Sequence, residues 1–488
     1  MILVKALVAL ALITTAAARS DAQQQPTRTV KRAANADTAK LPYNVAAPAS
    51  TPAFVHPPDP GLLPLDSVAN LIGATTASPT SVLGRAAGLL STTVKAVGGG
   101  KNCLDSKSNS ATISSLFYYG GKDTTVYLCP SANVPVTSPI YFYGANQTLT
   151  TLGSPTGSTR ATLTVTAGSC ALYVADAGND GSTVSHLIVN GNRALLGRDP
   201  SGLALIEMGG NSVGQTIHHV KAFEPRAWSA LHILEGYQGQ CDRTTVRDNE
   251  LGPAGHAPSG TQQFNPVRRR SLRSSVRRDV VPHLPGEWAD GISHACKNSI
   301  VTGNTIIDAT DAGIAVFGAP GSRITGNTII SDQRSMLGAI AAADYDPWEG
   351  SFVGTVVSGN TILAKGSLIK VGIATGPASW YAGSGAERTI RGGDWSGNSF
   401  ATGTTGYFSY GISLNGHDDA TFVGNRFTNA NFGGVYSSSC FSGMPAMQPM
   451  VYNSARSSGN TLQSGFVDAD YVLAICVAPG PIKSTQSA

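Results

Sequence analysis

From about residue 160 onward, apolar residues fall in short β-branched runs that alternate with Ser, Thr and charged residues, and turn dipeptides separate the runs. Alternation of this kind is the mark of strands with one buried face. Between residues 290 and 330 the pattern is spelled out twice: Ser-Ile-Val-Thr-Gly-Asn-Thr-Ile-Ile at 299–307 returns as Ser-Arg-Ile-Thr-Gly-Asn-Thr-Ile-Ile at 322–330. Asn304 and Asn327 are 327 − 304 = 23 residues apart. A repeat in the low twenties, with Gly-Asn at a fixed corner, predicts one coil of a solenoid per repeat. An Asn stacked above another Asn can bond its amide to the next turn, so the corner predicts an Asn ladder.

Gly-Asn recurs at Asn360, Asn398, Asn425 and Asn460, with weaker copies at Asn249 and at Asn190–Asn192. A small residue followed by an apolar one sets a second register, at Ala230-Leu231, Gly291-Ile292, Gly313-Ile314, Ala339-Ile340, Gly372-Ile373, Gly411-Ile412 and Gly434-Val435. Alternation sends the small residue outward, together with the positions two before it and two after it. The first of those sets reads Trp228, Ala289, Asp311, Leu337, Lys370, Ser409 and Phe432. The second reads His232, Ser293, Ala315, Ala341, Ala374, Ser413 and Tyr436. The isoleucines then point inward. The expected result is a lateral groove with a floor of small residues, edged by Trp228, His232, Asp311, Lys370 and Tyr436, which suits a sugar chain.

The fold predicted is all-β: a single-stranded right-handed parallel β-helix with an N-terminal cap. The cap is read at 101–160, where a short amphipathic helix precedes strands around Val126–Leu128, Ile140–Phe142 and Leu149–Leu152. An uncapped solenoid end would expose open strand edges. The β-helix extends over 101–477 and is interrupted at 252–288 by a long basic loop carrying Arg268–Arg270, Arg273 and Arg277–Arg278. That loop reads as solvated, with processing at the dibasic pairs or anion binding as alternatives. Residues 478–488 read as a loose tail.

Lys5 and the apolar run ending Ala16-Ala17-Ala18 read as a signal peptide over residues 1–18, and Lys31-Arg32 as a dibasic processing site. Residues 19–100 read as a low-complexity propeptide or linker. A secreted, extracellular protein is expected, with no membrane span and a monomeric state. Only 13% of residues are charged, and the net charge of +4 is too small to argue for nucleic acid. Seven cysteines in an oxidising compartment leave at least one unpaired, and Cys103–Cys129 and Cys440–Cys476 are the expected bridges. No C-x-x-C spacing occurs, so no metal site is expected. Asn146 opens the N-glycosylation sequon.

Signal, cap and coils together resemble secreted fungal proteins of the right-handed parallel β-helix, pectin-lyase-like superfamily, over about residues 101–477. The run Trp-Ala-Asp-Gly-Ile-Ser, here Trp288 to Ser293, is similar to one in a group of fungal β-helix-domain proteins. The resemblance implies a fold and an extracellular setting, with carbohydrate-active enzymes as the commonest relatives. Polygalacturonases carry an Asn-Thr-Asp, an Asp-Asp about one coil later, a Gly-His-Gly and an Arg-Ile-Lys. Asp290 and Asp311 echo the first two, 311 − 290 = 21 residues apart, but Asp311 has no neighbouring second Asp and the other two motifs are missing.

The residues themselves offer several chemistries. Asp290 and Asp311 would serve as acid and base for glycoside cleavage, or merely as turn formers. Lys370, alone in an apolar strand, would be the base of a β-elimination or a solvated side chain. His417, in Asn415-Gly416-His417-Asp418-Asp419, would move a proton beside Asp418 or sit in a polar turn. Asp344, Asp346, Trp348 and Glu349 form an acidic and aromatic loop suited to sugar binding. No cofactor is expected, with Ca2+ as the alternative where acidic residues converge. His294 is read as a hydrogen-bonded core residue. Two functions compete: a polysaccharide lyase or glycoside hydrolase acting on an acidic glycan, and a non-catalytic glycan-binding, cell-wall or adhesin-like protein.

Overall fold

The computed structural model describes residues 103–256, 288–342, 345–380, 387–436, 445–470 and 476–486. The expected signal peptide, linker and basic insertion lie outside the described residues. Three sheets of 8, 10 and 13 strands, parallel except for the last strand of the third, form a β-helix. Each coil gives one short strand to each sheet in turn. Ile300–Thr302 enters the first sheet, Thr305–Ile307 the second and Ala312–Val316 the third, after which Arg323–Thr325 stacks on Ile300–Thr302. Parallel crossovers of this kind are right-handed.

The core is a set of apolar rows. In the first sheet Ile217, Val246, Val301, Ile324 and Val357 lie in register, all fully buried. In the third sheet Ile206, Leu231, Ile292, Ile314, Ile340, Ile373 and Ile412 do the same. Each such side chain contributes roughly 1.5–3 kcal/mol by leaving water. Short strands suffice because every apolar side chain touches its counterparts in the coils on either side.

The Asn ladder forms as the repeat predicts. Asn304 Oδ1 accepts from the backbone N–H and Nδ2 of Asn249, at 3.1 and 2.9 Å. Asn327 and Asn360 receive the same pair of bonds from Asn304 and Asn327, and the ladder continues through Asn398 to Asn425. Two expected rungs are absent. Asn460 serves a different corner, accepting from Ala420 N, and Gln463 closes the ladder by accepting from Asn425 N at 2.8 Å. Upstream, Asn192 donates its backbone N–H to Asn190 within one turn, and the ladder begins at Asn249.

The small–apolar pairs stack in the expected register through Gly411-Ile412, but the small member does not face outward. A Cβ on Gly291 would lie 2.5 Å from Ile306 Cγ2, and one on Gly313 2.6 Å from Ile329 Cγ2. On Gly372 and Gly411 it would meet the rings of Phe400 and Phe427 at 2.5 and 2.1 Å. Alternation breaks at each pair, so that both members point inward and the first must be small to clear the second sheet. The expected floor of small residues is therefore interior. Gly434-Val435 leaves the stack altogether: Ile412 pairs with Met450, while Val435 pairs antiparallel with Ala478.

Both ends are covered. The helix Ser110–Gly120, capped by the Asn109 side chain accepting from Thr112 N at 3.0 Å, lays Ile113, Leu116 and Phe117 on the first coil. At the other end Val477–Gln486, expected to be loose, is a strand paired antiparallel with Ala430–Tyr436. Cys103–Cys129 is bonded as expected, and Cys241–Cys296 is bonded across the basic insertion. Cys170 is free and buried. Cys476 is disulfide-bonded, but the expected Cys440–Cys476 pairing lies outside the described residues because Cys440 does.

Candidate active site on the outer face of the third sheet

The position after each inward isoleucine returns to the outside. Register places Tyr141, Tyr173, Glu207, His232, Ser293, Ala315, Ala341, Ala374, Ser413 and Val451 in one row. Neighbouring members lie about 4.8 Å apart along the helix axis. Tyr141 and Tyr173 pack with Cys170 and Ala175 in a cluster separate from the core, which puts them on the outer face.

The chemistry is concentrated at the first half of this row. Glu207, 2% exposed, accepts from the Ala204 backbone N–H through Oε1 at 2.8 Å and from His232 Nδ1 through Oε2 at 2.8 Å. A carboxylate only accepts, so Nδ1 carries the proton and the His232 Nε2 lone pair is left for a substrate. The edge of Trp228, half-buried, meets the imidazole at 4.6 Å between centroids. Two tyrosines complete the group. Burial pushes the Tyr141 phenol up to about 12, with the Cys170 and Asp176 charges adding to it. Burial, then Asp176 and Glu207, drive Tyr173 well above the usual phenol range. Both phenols therefore keep their protons at neutral pH, with the Tyr173 hydroxyl buried.

Asp290 lies beside this group and is 6% exposed. Its Oδ1 accepts from Ala312 N at 2.9 Å and its Oδ2 from Ser293 Oγ at 2.7 Å. It ties the strand break in its own coil to the next coil. Asp311 stands one register position away. The pairing of Ala312 with Gly338 and of Gly338 with Val371 puts Asp311, Leu337 and Lys370 in one row. Lys370 is 4% exposed, not solvated. Burial lowers its ammonium from the usual range to about 7, and attraction to Asp311 acts in the opposite direction.

Other expected site residues do not join. His417 is a core residue: its Nε2 meets the Gly392 carbonyl at 2.7 Å and its ring packs among Phe352, Trp395 and Phe422. Burial lowers it to about 4. The apolar surroundings, invisible in the local run Asn415–Asp419, rule out a catalytic place for it. Asp418 accepts from the backbone N–H and hydroxyl of Ser458, holding one coil to the next rather than lining the track. Tyr436 leaves the His232 row because its strand pairs with the C-terminal strand; its hydroxyl meets that of Tyr410. Asp344 lies outside the described residues, and Asp346 pairs with Arg388 at 3.0 Å. Trp348 donates Nε1–H to the Ala295 carbonyl at 2.7 Å and lines a cleft of about 480 Å³ with Glu235, Gln238 and Glu349. His294 is interior as expected, lowered by burial to about 4.

Sequence reasoning missed Glu207, Tyr141 and Tyr173. The outward row could have been extended upstream from Leu231 to Ile206 and then Leu172, but Leu205 stands where later coils carry a small residue, so the frame was not recognised there.

No family model matches the chain, and no curated protein matches it. Several solved structures are similar at low identity. The A-module of a mannuronan C-5 epimerase from Azotobacter vinelandii is 12% identical, with 76% of this chain and 94% of that one covered and a TM-score of 0.33. A surface protein and adhesin of Streptococcus pneumoniae is 13% identical over 75% and 93%, with a TM-score of 0.38. An alginate lyase from Paenibacillus is 11% identical over 66% and 94%, with a TM-score of 0.30. The likeness is one of overall fold.

Proposed function

We propose that this chain is a secreted, monomeric polysaccharide lyase of the fungal pectin-lyase-like kind, which takes an acidic glycan along the outer face of the third sheet. The observation that carries the reading is the Glu207–His232 pair at 2.8 Å beside Trp228. A buried carboxylate that orients a surface imidazole is the arrangement of a general base. In β-elimination His232 Nε2 takes the proton from C5 of a uronate. The C4–O4 bond then breaks, a C4=C5 double bond forms, and the departing oxygen takes a proton from solvent. Trp228 offers the sugar a flat apolar contact. Further along the track Lys370 beside Asp311 receives a carboxylate, whose negative charge favours the ammonium form.

Elimination is preferred to hydrolysis for a physical reason. Hydrolysis needs two carboxyl groups available to the sugar, and both oxygens of Asp290 already accept hydrogen bonds from the protein. The test is a digestion screen of acidic plant, fungal and microbial glycans, following the ultraviolet absorbance of unsaturated uronate and new reducing ends. Absorbance that is lost in His232→Gln supports the lyase. Reducing ends without absorbance point to a hydrolase, and silence in both with binding retained points to a non-catalytic glycan-binding protein.

A further inference from the structure

We propose that His186, His218 and His219, at the corner between the first and second sheets, form a binding site for a divalent transition-metal ion of the zinc type. One ring nitrogen from each lies within 4.8 Å of the others, and all three side chains are part-buried. The sequence concealed the group because His186 and His218–His219 belong to successive coils, with His218 in register against Ser185. Imidazole suits zinc, copper and nickel, and three histidines with an open fourth position make a complete protein ligand set for zinc.

The backbone supplies a second, independent observation. His219 follows its first-sheet strand and precedes the ladder position, because Val220 N donates to Asn249 Oδ1 as Asn249 N does to Asn304. The next coil places Asp248 at this corner, at φ 56°, and the coils after it place glycine, at φ 65° for Gly303 and Gly326 and 64° for Gly359. His219 adopts φ 55°, and His186, at the same corner one coil earlier, adopts φ 52°. The left-handed region disfavours a residue with a Cβ, and such strain gathers at functional sites. Two successive coils thus place a histidine at a corner that later coils give to Asp or Gly, and the left-handed turn brings both towards His218.

The ring orientations agree. His186 Nδ1 meets the Pro155 carbonyl at 3.1 Å; a carbonyl only accepts, so Nδ1 holds the proton and Nε2 is left as the ligand atom. His218 Nδ1 and His219 Nδ1 lie 2.9 Å apart and share one proton. A zinc ion replacing that proton needs the two nitrogens to open to roughly 3.3 Å, given Zn–N bonds of about 2.0–2.1 Å. His186 stacks on His219 with an interplanar angle of 9° and must rotate about its side-chain bonds to join them. Arg160 and Arg247 stand near the group, paired with Glu250 at 2.8 Å and Asp248 at 2.7 Å, and Glu250 also faces Lys221 at 3.6 Å. This corner lies away from the third sheet, so the ion site stands independently of the glycan reading.

The test uses the full chain, stripped with chelator and titrated with Zn2+ by calorimetry and with Co2+ by visible absorption. One ion per chain is expected, with the intense absorption of tetrahedral cobalt. Because losing a mere second-shell partner weakens metal affinity about 10–100-fold, removing a ligand in His218→Gln or His219→Gly should weaken it by about 100-fold or more. Glycine fits φ 55°, so His219→Gly should melt in chelator no lower than the wild type, which separates lost binding from lost folding. Absence of stoichiometric binding, or binding unchanged in His219→Gly, overturns the proposal.

Discussion

Replacing Lys370 by Met should stabilise the protein, and by an amount that depends on pH. The side chain lies in the strand Leu368–Thr375, all of whose residues are buried. Burial lowers its pKa from 10.5 to about 7, against the attraction of Asp311. The unfolded chain therefore binds a proton in the window between about 7 and 10.5 that the folded chain does not. Stability rises with pH wherever the unfolded state binds more protons. At about 1.4 kcal/mol per unit, the full window is worth on the order of 5 kcal/mol. The penalty is complete below pH 7, falls through the window and vanishes above it. Lys370→Met removes it, so the variant should gain roughly 4 kcal/mol at pH 7 and little near pH 10.5. The assay is guanidinium unfolding of both proteins from pH 6 to 10.5. The difference between the curves isolates Lys370 from the tyrosines that titrate over the same range. Equal stabilities at pH 7, or a difference independent of pH, would refute the reasoning. A residue held at such a cost is one that function retains, and Lys370→Met should weaken binding of acidic glycans while neutral ones are unaffected.

Three further outcomes follow from the same geometry. Glu207→Gln leaves the hydrogen-bond frame nearly intact but no longer holds His232 in one tautomer, so turnover should fall about 100-fold or more with an unchanged circular dichroism spectrum. Asn327→Ala deprives Asn304 N, Asn304 Nδ2 and the Val301 carbonyl of buried partners; at about 1–3 kcal/mol for each unsatisfied group, chemical denaturation should show a loss of roughly 3–5 kcal/mol. The Cys241–Cys296 bond closes a loop of 55 residues, so the double Ser variant should be less stable by about 4 kcal/mol on the chain-entropy model.

The β-helix was legible because its signal is carried by repetition. The isoleucine row and the Asn ladder each depend on one residue type recurring at one place in a coil; the row holds through Ile412 and the ladder from Asn249 to Asn425, and both expectations fail at the ends, where Val435 and Asn460 belong to other pairings. The floor of small residues was misread because strict alternation was assumed across Gly291-Ile292 and its counterparts; the break that turns both residues inward depends on contact with Ile306, Ile329 and the two phenylalanines of another sheet. His417 was misread for the same kind of reason. Its neighbours in sequence are polar, and its neighbours in space are Phe352, Trp395 and Phe422. Glu207 and the three histidines were missed because their partners come from other coils, at separations that no local motif records. Local pattern predicts which residues share a coil. Which of them meet across coils is decided by insertions of unequal length.

The central claim is that His232, held by Glu207, is a general base at a glycan site on the third sheet. The most direct measurement is the rate of unsaturated-uronate formation by wild type and His232→Gln on the best substrate of the digestion screen. The account predicts steady formation by the wild type, a fall of about 100-fold or more in the variant, and retained binding of the same glycan. Equal rates in the two proteins, or products without the double bond, would contradict it.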